Sequence, residues 1–341
     1  MKGEPMTDIL DGRIVIASVS GGKDSTAMCL HLKERGIPYR AVYMDTGWEN
    51  AETYRYIEEE LPGYIGPITT LRSVVDLPPD IEALAQVFET RMGRPSPMIR
   101  WCLKKGMFPN AKIRWCTEEL KVRPMGAFLE ALDEDAVNAV GVRAEESTAR
   151  SKLGEWEEPP VGGMIPVPTW RPIIDWTVDD VIAIHQRHNV APNRSYFDGS
   201  TRVGCWPCIR SNKAELEVIG RTDPERVSLI RELERVVGDM AEARMEAKGD
   251  SSNGRPAWFQ TFDDPRRVMT CPDCEGAGCE ACGQNGRRRV KYKKAECWPI
   301  DRVMTWARTA KGGRTIEMFA PLSFELGCMR WGFCDLPPVK A

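Results

Sequence analysis

The run Ile14-Val15-Ile16-Ala17-Ser18-Val19 enters the turn Ser20-Gly21-Gly22, and a helix-forming segment (Ala27, Met28, Leu30, Leu32) follows, ending at Gly36. A short β-branched run, a glycine turn and a helix start together predict a buried parallel strand feeding a helix N-terminus. Two glycines let backbone N–H groups crowd round an anion. The helix dipole adds partial positive charge, Lys23 adds a full one, and Ser20, Ser25 and Thr26 add hydroxyls. The expected guest is a phosphate chain. A Walker A loop is excluded, because that motif needs Gly at position 17 and Ser or Thr at position 24, where this chain has Ala17 and Asp24. Asp24 inside an anion cradle is expected to hold Mg²⁺ that bridges to the phosphates. The bland alternative is an ordinary glycine turn after a core strand.

Alternating signals continue downstream. Tyr39 to Met44 reads as a second strand, Ala51 to Leu61 as a helix, Ile68 to Leu71 as a third strand and Ile81 to Glu89 as a helix. Such alternation predicts an α/β fold with a doubly wound parallel sheet. Residues 91–116 turn irregular and basic, with Pro95, Pro97 and Pro109 as breakers. A helix from Met125 to Leu132 leads to a buried strand, Ala136 to Val142. Residues 154–172 carry five prolines and read as an extended loop. Thr177 to His188 reads as a helix with Thr177 as its N-cap.

Motifs along this stretch resemble a known family. Ser20-Gly-Gly-Lys-Asp-Ser25 resembles the PP-loop of the adenine nucleotide α-hydrolases, which cleave between the α and β phosphates of ATP. Asp45-Thr46-Gly47 with Glu52-Thr53 is similar to a segment of the phosphoadenosine-phosphosulfate (PAPS) reductase branch. So are Arg114-Trp-Cys116-Thr117 with Leu120-Lys121 and Pro124, and Gly141-Val-Arg143-Ala-Glu-Glu146-Ser147 with Arg150. Pro172, Trp176, Asp180-Val181 and Val203-Gly204-Cys205-Trp-Pro-Cys208 complete the pattern, over roughly residues 13–212. The resemblance implies that Ser20, Gly21, Gly22, Lys23, Asp24, Ser25 and Thr26 hold the phosphates of ATP or PAPS. It places Asp45 and Thr46 at the sugar and base edge, with Gly141 beside the nucleotide. Lys23, Asp24, Arg143 and Arg150 become the candidate catalytic residues, the two arginines facing the group that leaves or is attacked.

Twelve cysteines are many for a cytosolic enzyme unless they bind something, and six form Cys-x-x-Cys pairs at 205/208, 271/274 and 279/282. The N-terminus carries no signal-peptide pattern and no apolar run is long enough to span a bilayer, so a reduced, cytoplasmic setting and metal ligation are expected over disulfides. Cys116, Cys205 and Cys208 lie in the family-like motifs, and Cys102 sits in a second Arg-Trp-Cys. Four thiolates converging there would suit a [4Fe–4S] cluster or a Cys₄ zinc site; iron is preferred on resemblance. Cys102 is the expected fourth ligand, with Cys297, Cys328 and Cys334 as substitutes. Small buried hydrophobes are the plain alternative for Cys102 and Cys116.

Cys271, Cys274, Cys279 and Cys282 form two knuckles, with Gly276, Gly278 and Gly283 permitting the turns, and predict a compact structural Zn²⁺ site. Arg287 to Lys294 then places six cations and Tyr292 together, a candidate nucleic-acid contact or one solvated face of a strand. The net charge of −3 means that any such signal is local.

The expected organisation is a nucleotide-binding domain (1–212), a helical extension (213–265), a Cys₄ zinc-ribbon-like basic module (266–296) and a C-terminal segment on the core (297–341). Within the extension, residues 223–248 show an amphipathic helix pattern that packs on the core or joins an oligomer interface. The function expected is an ATP-pyrophosphatase-type step that adenylates an oxygen, followed by sulfur transfer, to nucleic acid in the sharpest form, with a sulfur-donor protein as a further partner. PAPS or adenylylsulfate reduction is the alternative, with Cys328 as its nucleophile. A non-catalytic nucleic-acid-binding protein on a retained nucleotide fold is the third.

Overall fold

The computed structural model describes residues 10, 12–110, 112–247, 256–261, 268–270, 277, 279–280, 287–289 and 296–308. At its centre is a six-stranded sheet in the order β3-β2-β1-β4-β6-β5. Its strands are β1 (Ile14–Val19), β2 (Tyr39–Asp45), β3 (Ile68–Arg72), β4 (Ala136–Val140), β5 (Trp156–Glu157) and β6 (Thr169–Trp170). All neighbours are parallel except β5, which runs antiparallel to β6 at the edge. The loop expected over 154–172 therefore supplies two short strands, and Trp156 and Trp170, paired in register, stack with their ring centroids 5.3 Å apart.

Both faces of the sheet are covered. Val15, Ala17 and Val19 of β1 face one apolar cluster with α1 (Lys23–Glu34), while Ile16 faces another. That alternation is why a continuous apolar run specifies a central strand. Helix α2 (Ala51–Arg55) runs through a π-helical turn, Tyr56–Glu60, into α3 (Leu61–Ile65); α4 is Pro79–Met92.

The stretch expected to be irregular contains α5 (Pro97–Lys105). Ser96 accepts from the Ile99 N–H, and Pro97 occupies the first turn, where its missing N–H costs nothing. Pro97 starts this helix instead of breaking it. Next come α6 (Trp115–Thr117), a π-helical turn at Glu118–Val122 and α7 (Arg123–Glu130). Helix α8 (Val178–Arg187) begins at Thr177 with a reciprocal cap to Asp180, as expected.

Helices α9 (Lys213–Thr222) and α10 (Pro224–Glu246), with α11 (Ile300–Ala307), share one apolar cluster with α4, α5 and Trp48. Strand β7 (Phe259–Thr261) pairs antiparallel with β10 (Glu296–Trp298), and β8 (Val268–Thr270) with β9 (Arg287–Arg289). The Glu234 carboxylate on α10 accepts from the backbone N–H groups of both Trp258 and Ile300, so one buried acid holds the entry and exit of the β7/β10 stem. Among the described residues no helix is long and apolar enough to cross a membrane.

Candidate active site

Chain order reverses direction at β1: β2 and β3 lie on one side, β4 on the other. Open α/β sheets carry a crevice at the carboxyl ends of such strands. Here it is a cavity of about 830 Å³, lined by Ser20, Gly22, Lys23, Asp24 and Ser25 after β1 and by Gly141 and Arg143 after β4. The two chain segments touch: a Cβ at Gly141 would lie 2.7 Å from the Ser25 Cα. Gly21 has φ +68°, and a Cβ there would meet Ile57 at 2.8 Å, so glycine is required on both counts.

The cradle is closed by short-range bonds. Ser25 Oγ donates to the Gly22 carbonyl at 3.0 Å and accepts from the Ser20 N–H at 3.2 Å. The Lys23 N–H donates to the Tyr196 hydroxyl at 3.2 Å, and the Lys23 ammonium stands 5.1 Å from the Tyr196 ring. Asp24 joins the two cations: Oδ1 accepts from Arg143 Nε at 2.5 Å, and Oδ2 lies 3.1 Å from Lys23 Nζ. Burial works against the Arg143 charge, but hydrogen bonds to Asp24 and Glu145 outweigh it and raise its pKa. Arg150 also lines the cavity and pairs with Glu146. In all, the lining has seven lysines and arginines against three carboxylates, which suits an anionic guest.

Other expected members fall differently. Thr26 is fully buried and back-bonds to the Gly22 carbonyl, inside the helix. Asp45 does not line the cavity: its carboxylate takes Arg72 Nε at 2.7 Å, the Gly47 N–H at 2.8 Å and the Tyr54 hydroxyl at 3.1 Å. Thr46 does line it and donates to Glu49 at 2.8 Å. The Mg²⁺ expected on Asp24 meets a carboxylate whose two oxygens already face cations, so Asp24 as placed orients Lys23 and Arg143 instead of offering a free metal ligand.

Cys116, Cys205 and Cys208 open into the same cavity. Thr46 Oγ1 stands 4.0 Å from Cys205 Sγ. The cysteine loop is held from a distance: the Trp206 N–H donates to the Trp48 carbonyl at 2.8 Å, Trp48 Nε1 donates to the Pro207 carbonyl at 3.2 Å, and Trp206 Nε1 donates to Asp223 at 3.0 Å. Burial pushes the Cys205 thiol up to about 12, although the Lys121 ammonium pulls it down. Cys116 is raised by burial as well, and the charge of Cys205 leads the causes that raise Lys121. Cys102 does not line the cavity: it is fully buried in the apolar cluster with Met98, Ile99 and Leu103, where burial and then the charge of Cys116 raise its pKa. The expected four-thiol set is thus not assembled: among the described residues no three His, Cys, Asp or Glu side chains stand close enough to hold a metal ion. Cys279 is half-buried, whereas Cys271, Cys274, Cys282, Cys328, Cys334 and Lys291 to Lys294 lie outside the described residues.

Lys121 and Tyr196 were not singled out as site residues from the sequence. Lys121 stood inside a motif, where its role depended on which thiols it would meet. Tyr196 is brought to Lys23 by a 3₁₀ turn, Arg194–Tyr196, that no motif marks.

A family model described as the phosphoadenosine phosphosulfate reductase domain matches residues 14–69 and 80–211. An uncharacterized 37.8 kDa protein of Escherichia phage 186 is 30% identical over 348 aligned positions, 93% of this chain and 95% of its own. The adenosine 5'-phosphosulfate reductase of Allochromatium vinosum is 26% identical over 198 positions, 58% of this chain and 68% of that protein. The crystal structure of a phosphoadenylyl-sulfate reductase from Candida auris is similar at a TM-score of 0.42 and 15% identity, over 60% of this chain and 89% of that one.

Proposed function

The chain belongs to the phosphoadenosine phosphosulfate reductase domain family, and from that premise we propose that it binds an adenine nucleotide and uses adenylation to drive sulfur transfer to an acceptor. One observation carries this reading: the phosphate cradle and three thiols open into a single cavity. The phosphates lie over Ser20 to Ser25. Lys23 and Arg143, held in place by Asp24, meet the charge that develops as the bond between the α and β phosphates breaks. An acceptor oxygen attacks the α phosphorus and pyrophosphate departs. Sulfur carried as a persulfide on one of Cys116, Cys205 and Cys208, loaded by a sulfur-donor protein, then displaces AMP from the adenylated acceptor; a second of these thiols attacks the remaining S–S bond, which releases the thiolated acceptor and leaves a protein disulfide for an external thiol to reduce. Nucleic acid is the proposed acceptor, held in part by the basic segment 287–294. In this reading residues 1–212 perform the chemistry, and the module 266–296 with its flanking helices presents the substrate.

Supplying ATP, or PAPS or adenylylsulfate, and measuring pyrophosphate and sulfite separates the readings. Pyrophosphate release from ATP supports adenylation. Sulfite release without it supports the second reading, sulfonucleotide reduction, which the similarity to the Allochromatium reductase favours. Failure of every nucleotide to bind would defeat both.

A further inference from the structure

At the cavity mouth, positive charge stands without acidic partners. Arg114 and Arg210 line the cavity and are both exposed. Arg114 donates only to the Thr117 hydroxyl, at 3.3 Å. Lys104, exposed at the end of α5, stands 5.1 Å from the Trp101 ring. None of the three has an ion pair among the described residues, whereas the neighbouring Lys105 and Arg123 both pair with Glu119. The Lys105 ammonium lies 4.6 Å from the Trp101 ring and 6.0 Å from the Trp115 ring, so it ties the end of α5 to the start of α6, the two segments that carry Lys104 and Arg114. Ile113, adjoining Arg114, is 53% exposed.

Unpaired cations around an exposed apolar side chain do little for folding. In a chain of net charge −3 they are a local excess of positive charge, of which Arg114 and Arg210 reach the cavity lining. We propose that Lys104, Arg114 and Arg210 are the entry track for a single-stranded nucleic acid, with its phosphates on the cations and a base or sugar against Ile113. A single strand fits because the acceptor atom must descend to Lys23 within a concave cavity, which a stacked duplex cannot enter without extruding a nucleotide. The proposal rests on the cavity being the adenylation site and adds the acceptor's class and path.

The test measures the anisotropy of a labelled single-stranded oligonucleotide with the full chain across a salt series. The comparison variants are K104Q/R114Q/R210Q and R287Q/R288Q/R289Q. For the first, affinity is expected to fall about tenfold or more, and the slope of log affinity against log salt to shrink by about two, near 0.7 per lost phosphate contact. Circular dichroism confirms that the variant is folded. An unchanged affinity and slope in that variant would overturn the track, as would no binding by the wild type or equal affinity for single strand and duplex. Failure of the underlying reading shows separately, as absence of ATP binding by the wild type without oligonucleotide.

Discussion

The glycine turn at Ser20–Ser25 and the cysteine loop line one cavity but are held by different means. In the cradle, Ser20, Gly22 and Ser25 bond to one another within five positions, and the turn geometry follows from Gly21. The cysteine loop depends on Trp48 and Asp223, far away in the chain. Trp48 in turn stacks on Trp258 with ring centroids 4.6 Å apart, beside the stem held by Glu234. One wall is a local motif; the other is a product of packing. Damage to the C-terminal helices and stem should therefore reach the thiols before it reaches the phosphates.

The largest effect is expected from Trp258→Ala. Trp258 is buried between Trp48 and Phe108, and its truncation should cost about 3–5 kcal/mol in urea unfolding. It should also speed reaction of Cys205 and Cys208 with a thiol reagent; unaltered labelling would break the proposed dependence of the loop on the stem. On the other wall, Lys23→Ala should cost about 1.5–3 kcal/mol of ATP affinity by calorimetry, roughly ten- to a hundredfold, with little loss of stability.

Glu234 sharpens the comparison through pH. Burial raises its pKa from 4.5 to about 7, against the lowering effect of the Ile300 and Trp258 N–H groups. An acid whose pKa rises on folding contributes stability that is fully present below its unfolded value and is lost as pH climbs through the folded one. The wild type should lose on the order of 1–3 kcal/mol between pH 4.5 and 7, and Glu234→Gln should flatten that window while keeping an acceptor oxygen. The smallest effect belongs to the exposed Arg231–Asp301 pair between α10 and α11, at 2.7 Å. Arg231→Ala should change stability by less than about 1 kcal/mol; a larger loss would make that contact part of the stem's anchorage.

Much of the fold was legible because it obeys periodicity. The apolar run of β1, the Thr177 cap and the helix pattern over 223–248 lie where the spacing predicts them. Helix α5 was not legible as a helix, because Pro97 carries the same letter as a breaker and a first-turn residue, and only the Ser96 cap distinguishes the two. In the site, the cradle residues were legible through their turn chemistry. For Asp45 the motif names a residue without naming which way its side chain faces, and in the structure the carboxylate pairs with Arg72 on the next strand. His185, for which no motif set a role, is fully buried with Nδ1 2.8 Å from the Val181 carbonyl.

The sequence by itself determined the strand, the glycine turn and the helix that make an anion cradle, since those depend on backbone freedom and hydrogen bonds within a few residues. Only the tertiary structure decided that Asp24 serves Arg143, that Cys102 turns into the core while three other thiols share the cavity, and that Trp48 links the cysteine loop to Trp258. Those pairings join positions far apart in the chain, and they are selected by the burial of whole faces against one another, which no local spacing encodes.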